Sequence, residues 1–94
     1  MCEGHVNLLR CPQANLSYRN ASEFARVAHQ DSPAETVVID LAETEDTTTA
    51  ALARLVVLRR DLRQSGGDLR LMHLHGRVRR LYEVNRLTNI LPCV

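Results

Sequence analysis

Ninety-four residues make room for a single domain spanning 1–94. A formal net charge of +1 supplies no overall field for nucleic acid, and with no Trp and one Phe the core must be built from aliphatic side chains. Three widely spaced cysteines without a C-x-x-C pattern argue against a zinc ribbon and a disulfide framework, so reduced thiols and a cytoplasmic setting are expected. The first residues lack the apolar run of a signal peptide. Arg54, Arg59 and Arg60 interrupt the longest apolar stretch, so direct membrane insertion is not expected. A domain this small gains from a partner or a second copy, and a homodimer is among the expected assemblies.

In chain order, His5 to Arg10 reads as a first strand that Pro12 ends. Leu16 to Tyr18 reads as a short second strand. Asn20 to Glu23 reads as a helix entrance, with Asn20 as cap and Glu23 reaching back. Phe24, Val27 and Ala28 would form that helix's apolar face, and Asp31-Ser32-Pro33 would stop it. Thr36 to Leu41 is the clearest strand, β-branched and almost continuously apolar, as expected of burial on both faces.

A helix is predicted over 49–64, where Ala51, Leu55, Leu58 and Leu62 repeat at helical spacing and Leu52 and Val56 widen the stripe. Ser65-Gly66-Gly67 closes it, glycine supplying the left-handed residue that a helix end favours. Leu69 to Leu74 follows as a strand, and Gly76 turns the chain. Residues 77–84 form a short helix with Val78, Leu81, Tyr82 and Val84 inward. Leu87, Ile90 and Leu91 make a last apolar patch before Pro92. The order predicts an α/β domain, a small mixed sheet of about four strands with helices packed on it.

Charge is unevenly divided along the chain. Residues 1–48 carry three arginines and eight acids, and residues 49–94 carry nine arginines and three acids. The stretch 44–52, TEDTTTAAL, places Glu45 and Asp46 just ahead of three threonines and the start of the long helix. A threonine hydroxyl there can satisfy one of the amides that a helix start leaves without partners. The face opposite the core stripe shows Ala50, Ala53, Val57 and Gln64, small or apolar where a solvated helix carries charge.

Other chemistry is sparse. His73 and His75 share one face of a strand and make half a metal site, but no third ligand has suitable spacing. Arg77, Arg79, Arg80 and Arg86 read as a solvated basic face. Asp40 ends a strand with no evident partner. No nucleophile–base pair and no phosphate-cradling glycine loop is present, so neither enzymatic activity nor a cofactor is expected.

Several of these motifs, taken in order, resemble the STAS family, the fold of bacterial anti-sigma factor antagonists. It also forms cytoplasmic tails of sulfate-permease-type transporters and small subunits of lipid-trafficking ABC systems. The family's buried strand ending in Asp-Leu is similar to Val37-Val38-Ile39-Asp40-Leu41. Its helix ending in Gly-Gly before a strand is similar to Gln64-Ser65-Gly66-Gly67-Asp68-Leu69. Val78, Leu81 and Leu87 resemble its tail pattern, and Ala14-Asn15-Leu16-Ser17 resembles its early Gly-Glu-Leu-Asp.

The family's switch motif, Asp-Ser/Thr-x-Gly/Ala-Leu, falls without a gap on Thr48-Thr49-Ala50-Ala51-Leu52. The resemblance thus implies Thr49 as the phosphorylated residue, with Thr48 standing where the family has aspartate. A register on Asp46-Thr47-Thr48 requires a gap. The implied partner is a kinase-type anti-sigma factor, which would own any ATP. The alternative is a transporter ATPase, for a constitutive STAS subunit or regulator of a membrane transport complex. The partner surface expected from these readings comprises Asp46, Thr47, Thr48, Thr49, Ala50, Ala53 and Val57.

Overall fold

The structure is a computed structural model that describes residues 6–31 and 35–94. His5 and Ser32-Pro33, to which the sequence assigns a strand start and a helix stop, lie outside the described residues. The elements are β1 (Val6–Arg10), β2 (Asn15–Leu16), α1 (Tyr18–Asp31), β3 (Thr36–Asp40), β4 (Asp46–Thr47), α2 (Thr49–Gln64), β5 (Asp68–Met72) and α3 (Gly76–Val84).

β3 is the central strand, pairing in parallel with β1 on one side and β5 on the other. Each parallel pair needs a crossover, and α1 and α2 provide them. The α/β class matches the expectation, while the strand arrangement differs in detail. Among the described residues the main sheet has three strands, and its ladders are parallel rather than mixed. The anticipated second strand shortens to β2 and pairs with β4 as a separate parallel ribbon.

The reason lies in Ser17. Its hydroxyl accepts from the Asn20 amide at 3.1 Å, and Asn20 Oδ1 accepts back from the Ser17 amide and hydroxyl. This reciprocal cap starts α1 at Tyr18, earlier than predicted, and takes Tyr18 out of the strand.

Register places Leu9, Ile39 and Leu71 in one row, and Asn7, Val37 and Leu69 in another. The apolar members of these rows pack with Leu52, Leu55, Leu58 and Leu62 of α2 in one cluster. Burying each such leucine stabilises the fold by about 1.5–3 kcal/mol. The predicted core stripe of α2 is therefore the buried one. The opposite sheet face carries Val6 and Leu8, both exposed, beside the buried Val38.

α1 buries Ala28 and packs Phe24 against the core as predicted, but its inward stripe is centred on alanines that the prediction did not name. Ala21, Ala25 and Ala28 are fully buried, whereas Phe24 and Val27 are half-buried. Small side chains let α1 lie close to α2, which its larger neighbours would hold off.

At the end of α2, Gly66 adopts φ +91° and the Gly67 amide donates to the Leu62 carbonyl at 2.8 Å. This is a left-handed cap of the expected kind. In α3, Val78 and Tyr82 are buried, but Val84 is 69% exposed, contrary to expectation. Its position falls outside the narrow stripe that so short a helix can bury. Tyr82 donates its hydroxyl to the Leu91 carbonyl at 2.7 Å. The chain then runs beside β5, with Leu71 bonded to Pro92 and Val94.

Candidate functional site

The three threonines ahead of α2 divide the work among themselves. Thr47 is 4% exposed and donates its hydroxyl to the Leu16 carbonyl at 2.8 Å, joining β4 to β2. Its side chain supports the surface from beneath. Thr48 is the N-cap: its Oγ1 accepts from the Ala51 amide at 3.0 Å, with extended backbone as a cap requires. Thr49 begins the helix and is exposed. Among the described residues no partner is found for its hydroxyl.

Upstream, Thr44 is also fully buried and donates to the Gln13 carbonyl at 2.9 Å. The segment leading into α2 is thus anchored by hydroxyls on both sides of the two acids.

Those acids do not form a purely acidic corner. Asp46 is half-buried, and its Oδ1 accepts from Arg77 Nε at 2.9 Å and from the Thr47 amide at 2.8 Å. Arg77 also donates its amide to the Glu45 carbonyl at 3.2 Å. An arginine read as part of a solvated face therefore fastens α3 to the entrance of α2. Gly76 makes this approach with φ +57°, and a Cβ there would meet the Glu45 carbonyl oxygen at 3.4 Å. Glu45 itself remains exposed.

The two histidines, expected on one face of a strand, lie beyond the end of β5 and each bonds to residues 40–42 at the end of β3 rather than sharing a ligand. His73 Nδ1 bonds Asp40 Oδ1 at 2.8 Å, and Asp40 also accepts from the Ala42 amide at 2.9 Å. Asp40 thus has the partner that its sequence position does not reveal. These bonds, the one to His73 first, hold its carboxyl below the ordinary value of 3.8. His75 Nε2 donates to the carbonyls of Ala42 at 2.9 Å and Leu41 at 3.2 Å. Among the described residues, no group of three or more His, Cys, Asp or Glu is placed to hold a metal ion.

Beside α2 lies an apolar groove of about 360 Å³. Thr49, Leu52, Ala53, Val56 and Val57 form one wall, and Asn85, Leu87 and Ile90 form the other. Val57 and Ile90, on opposite walls, are both exposed. Arg59 fixes the second wall by donating to Asp68 at 2.8 Å and to the Ile90 carbonyl at 3.0 Å.

Of the residues expected at a partner surface, Thr49, Ala53 and Val57 come together in this groove. Thr48, Ala50 and Asp46 are not among its lining residues, and Thr47 is buried. Sequence reading missed Asn85, Leu87 and Ile90 as members. The only signal was the run of three apolar residues after α3, which does not say which one stays outside.

Set against known proteins, residues 5–93 match the model of the STAS domain family, and the chain belongs to that family. BtrV of Bordetella bronchiseptica, whose name assigns it to the anti-sigma factor antagonists, is 31% identical over 87 residues, covering 90% of this chain and 75% of BtrV. The NMR structure of the protein TM1081 has a TM-score of 0.75 at 19% identity, covering 95% of this chain and 73% of that one. The murine Slc26a9 anion transporter gives a TM-score of 0.72 at 14% identity, covering 92% of this chain but 14% of the transporter. The two structural likenesses show the fold. Among the described residues, no helix is long and apolar enough to cross a membrane.

Proposed function

We propose that this chain is a non-enzymatic interaction module of the anti-sigma factor antagonist type. It docks a kinase-type anti-sigma factor against the start of α2 and the adjoining groove. Sequestering that factor frees a sigma factor, and so the chain regulates transcription. ATP and phosphoryl transfer belong to the partner.

The observation that carries this reading is the exposed Thr49 hydroxyl, without a partner among the described residues, at the rim of an apolar groove while Thr47 and Thr48 are committed internally. A phosphate there adds about two negative charges. The helix tolerates them, because its N-terminal end favours anions by about 0.3–1 kcal/mol. A partner pressed into the apolar groove does not, since it must desolvate the phosphate or withdraw. Modification at Thr49 therefore releases the partner and leaves the fold intact. Thr48 in the place of the family's aspartate keeps the cap, because both residues cap well, and removes a charge beside Thr49.

The test is phosphate transfer from a purified kinase-type anti-sigma factor with ATP, located by mass spectrometry. Incorporation is expected at Thr49 and is lost in Thr49→Ala. Thr49→Glu is expected to weaken partner binding; unchanged affinity would refute the switch.

A second reading is a constitutive subunit or regulator of a membrane transport complex, of the lipid-trafficking ABC or sulfate-permease type. It is favoured by Thr48 at the aspartate position and by the likeness of fold to a segment of the murine anion transporter. α2 would then dock a transporter ATPase, and the threonines would only cap. Co-purification with such an ATPase, with Thr49 unmodified, selects this reading.

A further inference from the structure

The groove beside α2 does not end in neutral surface. Val56 and Ile90 line it and also line a second hollow of about 220 Å³, whose other walls are Arg59, Arg60 and Arg63. Arg59 is committed to Asp68 and to the Ile90 carbonyl. Arg60 is exposed, and its Nε stands 3.7 Å from Asp61, a loose surface pair. Arg63 is exposed and forms no ion pair among the described residues. The surface along α2 therefore runs from the hydroxyl of Thr49 through an apolar middle to two guanidinium groups free to take an acid.

We infer that the partner segment seated here is an amphipathic helix, antiparallel to α2, with carboxylates in its first turn. This rests on the docking reading above and states the chemistry of what docks. Charge complementarity places the acids beside Arg60 and Arg63, where a carboxylate gains charge-assisted hydrogen bonds. The walls favour a helix over an extended peptide. The amides of Asn85, Leu87 and Ile90 already donate to Leu81, Tyr82 and Leu87, and the other wall is itself a helix. No strand edge lines the groove, so recognition falls to side chains, which a helix supplies at spacings of three and four.

Thr49 and Arg63 are about 21 Å apart along α2, a distance matched by a helix of about 14 residues. Acidic side chains are favoured at a helix N-terminus, so the partner's first turn belongs at the arginine end. That direction is antiparallel to α2 and also opposes the two dipoles favourably. The partner helix then ends at Thr49. A phosphate there would face the negative end of the partner's dipole, so attraction and release act at opposite ends of one groove.

The apolar residues line a hollow rather than a ridge, which suits inserted side chains better than a lipid surface.

The test pairs the full chain with synthetic amphipathic helices that share one leucine face and differ only in the first turn, which carries glutamate, glutamine or lysine. Fluorescence anisotropy should show the glutamate peptide binding about tenfold more tightly than the glutamine peptide. That advantage should fade at high salt. The double substitution Arg60→Glu with Arg63→Glu should reverse the preference, so that the lysine peptide binds best. Val57→Asp should weaken all three about a hundredfold. These substitutions alter exposed side chains, and unchanged circular dichroism verifies the fold. Amide shifts on binding should change at Leu52, Ala53, Val56, Val57, Asn85 and Ile90. Equal binding of the three peptides, a preference that survives the double substitution, or shifts placed elsewhere overturns the inference. So does a different occupant: vesicles of equimolar phosphatidylcholine and phosphatidylglycerol, or a second copy of the chain, bound through Arg60 and Arg63 where the peptides are not. A kinase-type anti-sigma factor that binds wild type and the double variant equally overturns this inference and leaves the docking reading standing. Peptides that behave as expected while no such factor binds do the reverse.

Discussion

Replacing the three threonines one at a time by alanine separates their roles, because the structure assigns each a different physical job. Thr48→Ala removes the acceptor of the Ala51 amide and should cost about 1 kcal/mol. Thr47→Ala removes a buried donor and strands the Leu16 carbonyl, for which about 1–3 kcal/mol is expected. Thr49→Ala touches an exposed hydroxyl with no partner among the described residues, and should stay within about 0.5 kcal/mol. For a domain of this size, 1 kcal/mol corresponds to roughly 4–8 °C in Tm. The expected order of destabilisation is therefore Thr47, Thr48, then Thr49, with the last near zero.

Urea unfolding read by far-ultraviolet circular dichroism resolves these differences, provided that the slope with denaturant is unchanged among variants. Partner affinity should rank the residues differently, with Thr49 the most sensitive to an added charge. A Thr49→Ala loss equal to that of Thr48→Ala would show that Thr49 is structurally engaged. The argument for a free hydroxyl at the groove rim would then fail.

Three further outcomes are expected. The lowered pKa of Asp40 means that its charged form is favoured in the folded state. Its contribution should be fully present above the ordinary value of 3.8 and lost as pH falls through the lower folded value. In acid titrations, the stability difference between wild type and Asp40→Asn should shrink over that window. Burial, with Cys93 adding to it, pushes the Tyr82 hydroxyl above its ordinary 10.0. Its protonated form therefore stabilises the fold below that value, and the benefit fades as pH rises through the folded one. Tyr82→Phe should abolish this alkaline dependence and cost about 1–2 kcal/mol at neutral pH, because the Leu91 carbonyl loses its donor. Arg59→Met should leave α2 helical but release the Ile90 carbonyl and Asp68; a chemical-shift map should show changes concentrated at residues 87–91 and at Asp68.

The candidate site was only partly legible in the sequence. Ala53 and Val57 stood out because helical periodicity marks them as opposite to Leu55 and Leu58, and that geometry holds wherever the helix sits. Thr49 was singled out by alignment with a family motif; the fold gives Thr47 and Thr48 hydrogen-bonding duties of their own. Asn85, Leu87 and Ile90 could not be read in the same way. Nothing in their spacing shows that the segment after α3 returns to flank α2, and the Arg59 bond that holds it there spans 31 positions. Asp46 looked like free negative charge for the same reason: its guanidinium partner is supplied by α3.

The sequence by itself determined the order of strands and helices apart from β4, which it missed, together with the core stripe of α2 and its glycine-closed end. These follow from local rules: side-chain period, capping chemistry and the freedom of glycine. Tertiary structure alone decided which threonine faces outward, which acid is neutralised and where the groove's second wall comes from. Each of these depends on a partner that is distant along the chain, as Leu16 is from Thr47, 31 positions away. Periodicity fixes the direction of a side chain relative to its own element. Only the packing of elements fixes what it meets.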